Sequence, residues 1–207
     1  SGPEGKIVAE DALRIKKEQP TTAPGATAEQ KNLVPLTAMR RIVGERMLRS
    51  KQTAPHFYVS MDVDMTEVIQ KRAAWKENKQ EPAPSINDFI LWACAQALRD
   101  FPALNSTFAD KAIQLLPNIN ICMAVAIEDG LVAPVIRNAD RLSLEQLAAQ
   151  SRELAQKAQK KKLLPLDYEG GTFTVSNLGM FGVDTFIAII NPPQCAILAV
   201  GQVARRA

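Results

Sequence analysis

Few side chains in this sequence have a type and a spacing that could serve chemistry, and Ser176 stands first among them. In G-G-T-F-T-V-S-N-L-G-M-F-G, Thr172 to Val175 is β-branched and aromatic, with Gly170 and Gly171 before it and Asn177, Gly179 and Gly182 after. That pattern reads as a short strand running into a glycine-punctuated loop, with Ser176 at the junction. On spacing alone, Ser176 is equally an ordinary turn hydroxyl, since turns favour serine for local hydrogen bonding. His56, in Q-T-A-P-H-F-Y-V, is the only histidine, so any imidazole base would have to be this one. One histidine without clustered cysteines or carboxylates does not make a transition-metal site. No G-x-G-x-x-G or P-loop occurs, so phosphate binding at a helix N-terminus is not signalled.

The elements that must position these residues follow from periodicity. After the glycine loop, Phe186 to Ile190 and Cys195 to Val200 are continuous apolar runs of strand length, separated by Asn191-Pro192-Pro193. Strands apolar on both faces are covered on both, which predicts a hairpin in the core. Upstream, Met39, Ile42, Val43, Met47 and Leu48 recur at helical spacing behind Thr37 as N-cap, predicting a helix to about Gln52. His56 to Met65 alternates, with Phe57, Val59, Met61, Val63 and Met65 on one face, and predicts a strand. A further helix starts at Met65-Thr66-Glu67 and fades at Asn78.

Ser85-Ile86-Asn87-Asp88 has the form of a capping box with Asp in place of Glu, opening a largely buried helix from Ile86 to Asp100. Asn118 to Ile127 reads as a buried strand, Glu128-Asp129-Gly130 as a turn, and Leu131 to Ile136 as the returning arm. Pro134 there argues for an edge or bulged position. Ser143 caps a last helix carrying the stripe Leu144, Leu147, Ala148, Ser151, Leu154 and Ala155. Lys157, Lys160, Lys161 and Lys162 follow, complementing its dipole. Lys17 to Lys31, rich in Ala, Pro, Thr and Gln, has no periodicity and reads as a solvated linker occupying residues 17 to 32.

Several stretches of the sequence carry a family likeness. G-G-T-F-T-V-S-N-L-G-M-F-G followed by I-I-N-P-P-Q-C-A-I-L-A-V-G closely resembles the catalytic domain of the dihydrolipoamide acyltransferases, the core components of 2-oxo acid dehydrogenase complexes. Within that family the likeness is greatest to the pyruvate-type branch. G-L-V-A-P-V, residues 130 to 135, matches the family's G-L-V-V-P-V almost letter for letter. Residues 1 to 16 resemble the second half of the small peripheral-subunit-binding domain that precedes the catalytic domain, and half of so small a domain cannot bury a core.

The resemblance implies transfer of an acetyl group between a dihydrolipoyl arm, carried on a domain not present here, and coenzyme A as substrate. Such transfer between thiols needs a base to make the thiolate and a donor to hold the oxyanion. By resemblance the donor is the hydroxyl of Ser176. Ser85 matches a serine lining the coenzyme A entrance, and is also a plain N-cap. Arg40, Arg41, Arg46 and Arg49 form a solvated face, or one of them meets the coenzyme A phosphates. The family's base is a histidine in a His-x-x-x-Asp-Gly motif that this sequence does not contain. Residues 33 to 207 are therefore expected to be a catalytic domain without its C-terminal strand and helix. His56, in a Pro-His pair that recurs in the family beside the true base, is expected to be structural or channel-lining. A non-catalytic structural core subunit that lacks the base is the alternative.

Composition is compatible with this. At 207 residues and 46% hydrophobic, the chain can bury one sizeable core, and a net charge of +3 is too small to suggest nucleic acid as partner. No apolar run approaches the ~18 residues of a membrane span, so no membrane partner is expected. Cys94, Cys122 and Cys195 sit inside apolar segments without CxxC spacing and read as small core residues of a reducing compartment. The expected fold class is α/β, two layers, a mixed sheet with helices on one face, by resemblance the chloramphenicol acetyltransferase type. The resemblance also implies a homotrimer assembling into a larger core. Its expected partners are a 2-oxo acid decarboxylase and dihydrolipoamide dehydrogenase, in bacterial cytoplasm or mitochondrial matrix.

Overall fold

The core forms where alternating strands meet helices with an apolar stripe, and it is built from the middle of the chain. The computed structural model describes residues 33–78, 83–128 and 130–205. The expected domain remnant at 1–16 and the linker at 17–32 lie outside the described residues. The chain divides into two units, Ser1–Leu36 and Thr37–Ala207; of the first, residues 33–36 are described, exposed and without regular structure.

In the second unit the helices and strands run α1 (Ala38–Thr53), α2 (Thr66–Glu77), α3 (Ile86–Asp100), β1 (Ser106–Ala109) and β2 (Ala112–Leu115), then β3 (Ile121–Met123), β4 (Val125–Ile127), β5 (Gly130–Val132), β6 (Val135–Ile136), α4 (Leu144–Gln159), β7 (Phe173–Asn177) and β8 (Ile197–Val200). The central sheet has four strands in the order β6-β3-β7-β8. β3 pairs antiparallel with β6 and parallel with β7, and β7 pairs parallel with β8. It is a mixed sheet in a two-layer α/β arrangement. Ile121 and Met123 of β3 and Phe173 and Val175 of β7 share one face, since alternate side chains point the same way. That face forms the core with Leu91, Ala95 and Leu98 of α3 and Leu147 and Leu154 of α4.

Local signals set the helix ends. The Thr37 hydroxyl accepts the Arg40 N–H at 3.2 Å, and both Ser85 and Ser143 make reciprocal capping boxes, with Asp88 and Gln146 as partners. Pro134 is fully buried and splits the returning arm: β5 pairs with β4, then β6 pairs with β3 at the edge of the sheet. The opposite arm breaks at Ala124, whose N–H turns to Val175 O at 3.0 Å. Asn120 stitches the starts of the two central strands. Its N–H donates to Thr172 Oγ1 at 3.0 Å, its Nδ2 to Gly170 O at 2.7 Å, and its Oδ1 accepts the Asn138 N–H at 2.9 Å.

Several expectations are corrected. Residues 55–65 belong to no strand, because among the described residues no neighbour supplies a backbone ladder; Phe57 is 86% and Met61 78% exposed. The helix at 38–53 forms, yet Met39, Ile42 and Leu48 of its predicted stripe are exposed. Residues 186–190 likewise form no strand among the described residues, so the predicted core hairpin does not form. Its second run becomes β8, which among the described residues pairs with β7 alone, in parallel, and is half-buried rather than covered on both faces. Cys195 is exposed, lying before β8 with its thiol 3.1 Å from Leu104 O, whereas Cys122 is buried. The β1–β2 hairpin was not read from sequence; its turn uses Asp110 at φ 52°.

Candidate active site

The serine hydroxyls singled out in the sequence are placed in opposite circumstances. Ser176 is the penultimate residue of β7, half-buried, in register with Ala199 of β8. Its hydroxyl has no hydrogen-bond partner among the described residues. Ser85 is exposed and its hydroxyl is engaged twice, donating to Asp88 Oδ2 at 2.7 Å and accepting the Asp88 N–H at 3.2 Å. The Ser85 N–H also reaches Asp88 Oδ2 at 2.7 Å, and the buried Asp88 takes the Ser151 hydroxyl of α4 on its other oxygen. A carboxylate buried at a helix N-terminus with its oxygens satisfied holds that end firmly.

The serines belong to one neighbourhood because α3 begins where β7 ends. Asn87 and Asn177 join the elements, Asn177 Nδ2 donating to Asn87 Oδ1 at 3.0 Å. These residues were not singled out from the sequence. Their only signal is position, one beside each candidate serine, and asparagines beside capping or turn residues are too common to read.

Beyond Asn177 the chain makes a short turn over Gly179–Phe181 and lies against the end of β8. Leu178 N–H bonds Val200 O at 3.0 Å, and Gln202 N–H bonds Val183 O at 2.9 Å. The approach is closed to side chains: a Cβ on Gly179 would stand 2.6 Å from Gly201 O, and one on Gly201 would stand 1.9 Å from Asp184 O. These glycines let the loop close down beside Ser176.

His56 is occupied elsewhere. Its Nε2 accepts the Ile190 N–H at 3.1 Å, and its Nδ1 lies 2.8 Å from Ala54 O, which fixes Nδ1 as the protonated nitrogen. The lone pair a base would use is thus spent on backbone. Arg46 donates to Pro192 O at 2.7 Å and Ser50 to Ile190 O at 2.6 Å, so α1 and His56 together grip residues 190–192. The buried thiols are no better as nucleophiles: burial pushes Cys94 up to about 11 and also raises Cys122, partly offset by hydrogen bonds from Gln194 and Thr174. What the site offers is one unengaged hydroxyl at a stiff strand end. Among the described residues there is no imidazole or thiolate free to take a proton there.

Residues 28–207 match the family model described as 2-oxoacid dehydrogenases acyltransferase (catalytic domain). The chain is 41% identical over 214 residues to a Rickettsia bellii protein named dihydrolipoyllysine-residue acetyltransferase component of pyruvate dehydrogenase complex, and all of this chain is covered. The chain spans about half the length of the curated relatives it matches, 51% in that case. Some relatives are mitochondrial by name. A solved structure of Azotobacter vinelandii dihydrolipoamide acetyltransferase superposes with a TM-score of 0.82 at 36% identity, covering 90% of this chain and 79% of that one. That work concerned a serine, a histidine and an asparagine in its catalytic mechanism. A structure described as the cubic core of the pyruvate dehydrogenase multienzyme complex matches with the same score, identity and coverage.

Proposed function

The chain belongs to the family of 2-oxoacid dehydrogenase acyltransferase catalytic domains, and from that membership we propose that it carries the acetyl-transfer site of a pyruvate dehydrogenase core component. The substrates are an acetylated dihydrolipoyl arm and coenzyme A. The coenzyme A thiol gives its proton to a base, and the thiolate attacks the thioester carbonyl. The carbonyl oxygen becomes an oxyanion, which the Ser176 hydroxyl stabilises by donating a hydrogen bond. Collapse expels the dihydrolipoyl thiolate, which takes up a proton, so charge and atoms balance. The observation that carries this reading is the unengaged Ser176 hydroxyl at the end of β7. A donor spent on the protein would have to break a bond before it could serve the transition state.

Ser85 sits at the coenzyme A entrance in this reading, and a homotrimer within a larger core supplies the setting. The decarboxylase and dihydrolipoamide dehydrogenase components are the partners, in bacterial cytoplasm or mitochondrial matrix. A second reading, a non-catalytic core subunit, is favoured by one observation: the only histidine has its lone pair bonded to Ile190. Finding a D-H-R-x-x-D-G run in the reading frame downstream of Ala207 would decide against it, since that run would supply the base.

The test is Ser176→Ala in the protein expressed from the complete reading frame, assayed with S-acetyldihydrolipoamide and coenzyme A. An oxyanion donor acts mainly in the transition state, so kcat should fall while KM for coenzyme A holds. Loss of such a donor costs up to about 2.7–4 kcal/mol. Unchanged kcat in a folded variant would remove Ser176 from the mechanism.

A further inference from the structure

Asn87, the second residue of α3, and Asn177, the last of β7, meet amide to amide, and the contact continues into the glycine loop. Asn177 Nδ2 donates to Asn87 Oδ1 at 3.0 Å, while Asn177 Oδ1 accepts the Gly179 backbone N–H at 2.9 Å. A primary amide carries an acceptor on one side and donors on the other, so fixing one side fixes the other. Were the Asn177 amide turned over, its NH2 would face the Gly179 N–H, donor against donor. Asn87 Oδ1 therefore selects the one orientation in which Asn177 holds Gly179. The anchor is stiff, because Asp88, next to Asn87, is buried and bonded to Ser85 and to Ser151 of α4.

We propose that Asn87 is a positioning residue for acyl transfer: it sets the Asn177 amide, which fixes the Gly179 end of the glycine loop and thereby the terminus of β7 that presents Ser176. This rests on the function proposed for Ser176. The oxygen at position 87 is what matters, not the bulk. Asn87→Asp keeps an acceptor, and its charge suits the first turn of a helix. Asn87→Leu keeps the size and loses the acceptor. Asn177→Asp keeps the acceptor for Gly179 but replaces the donor with an oxygen facing Asn87 Oδ1.

The variants are compared in the protein expressed from the complete reading frame, by kcat and KM for coenzyme A and by hydrogen exchange of the Gly179 amide followed by NMR. Asn87→Leu should lower kcat roughly tenfold with KM for coenzyme A held within about twofold, the pattern of a loss felt in the transition state. Gly179 should exchange roughly 3- to 10-fold faster, the loss of one net hydrogen bond. Leu178, bonded to Val200 O by backbone alone, should keep its protection. Asn87→Asp should recover most of both losses, and Asn177→Asp should resemble the leucine variant. Unchanged kcat or unchanged Gly179 exchange in Asn87→Leu, or an aspartate variant no better than the leucine one, would overturn the inference. If the leucine variant does not fold, the two aspartate variants carry the same comparison between them. Wild-type protein without acetyl transfer would overturn the proposed function, and the exchange pattern alone would still confirm or overturn the hold on Gly179.

Discussion

Strand β7 and residues 55–65 are both apolar at alternate positions, and only one is part of a sheet. In β7, Phe173 and Val175 face the core and the backbone is bonded on both sides, to β3 and to β8. In the other stretch Phe57, Val59, Met61 and Val63 are all exposed, and no ladder flanks them among the described residues. The difference teaches that alternation decides which side chains share a face, while a neighbouring backbone decides whether that face becomes a strand with something to cover it. The same contrast runs through function. In the function proposed for it, Ser176 is held on a strand bonded to β3 and to β8, whereas His56, at the head of the unpaired stretch, is held by contacts to Ile190 and Ala54.

The sharpest way to test this contrast is to make the same substitution in both places. Phe173→Ala should destabilise the chain by about 3–5 kcal/mol, the usual cost of emptying a buried phenylalanine site. Phe57→Ala should stay within about 0.5 kcal/mol, as surface substitutions do. Urea unfolding of the two variants beside wild type gives both numbers. A cost above about 1 kcal/mol for Phe57→Ala would show that its face is covered in solution, and the contrast would fail.

A second contrast sets α3 against the loop ahead of β8. The Cys94 thiol is pushed up to about 11 by burial, so at pH 8 it is protonated, and its thiolate fraction grows only as pH rises toward that value. Cys195 is exposed. Iodoacetamide at pH 8 should therefore alkylate the exposed Cys195 well before Cys94, whose thiol is buried and held up to about 11. Peptide mass mapping over time reads it. Equal rates in folded protein would mean that α3 opens far more readily than its packing implies.

What the sequence made legible follows the same division. The ends of α3 and α4 were readable because capping boxes are local: Ser85 with Asp88 and Ser143 with Gln146 need only three residues of spacing. β7 and its serine were readable because glycines bracket an unbroken β-branched run. The expected strands at 56–65 and 186–190 do not form because an apolar pattern becomes a strand only where a neighbouring backbone pairs with it, and among the described residues none does. β8 was assigned a neighbour next to it in sequence, yet it pairs with β7 across a connection of about twenty residues, as parallel strands require. The Asn87–Asn177 bridge was invisible for a similar reason, joining residues ninety apart. The engagement of His56 by Ile190 likewise crosses the chain, and no local pattern announces it.

Ser85 carries the smallest expected effect and separates a structural from a ligand-facing role. Its hydroxyl closes the capping box, so Ser85→Ala leaves the Asp88 N–H without its side-chain acceptor and removes one donor from the Asp88 carboxylate. Caps of this kind are worth about 1 kcal/mol, and the melting temperature should drop accordingly. Asp88 keeps the Ser85 backbone N–H and the Ser151 hydroxyl, so the buried carboxylate is not stranded and the loss should not grow much beyond that. If Ser85 also meets coenzyme A, the same variant should raise KM for coenzyme A with kcat held, opposite in pattern to Ser176→Ala. Ser85→Thr distinguishes the contributions, because threonine also caps helices but adds a methyl on the exposed side. A threonine variant with restored melting temperature and raised KM places coenzyme A against residue 85. One with both values restored makes Ser85 a cap and nothing more, leaving the α3 terminus to act on the site only through Asn87.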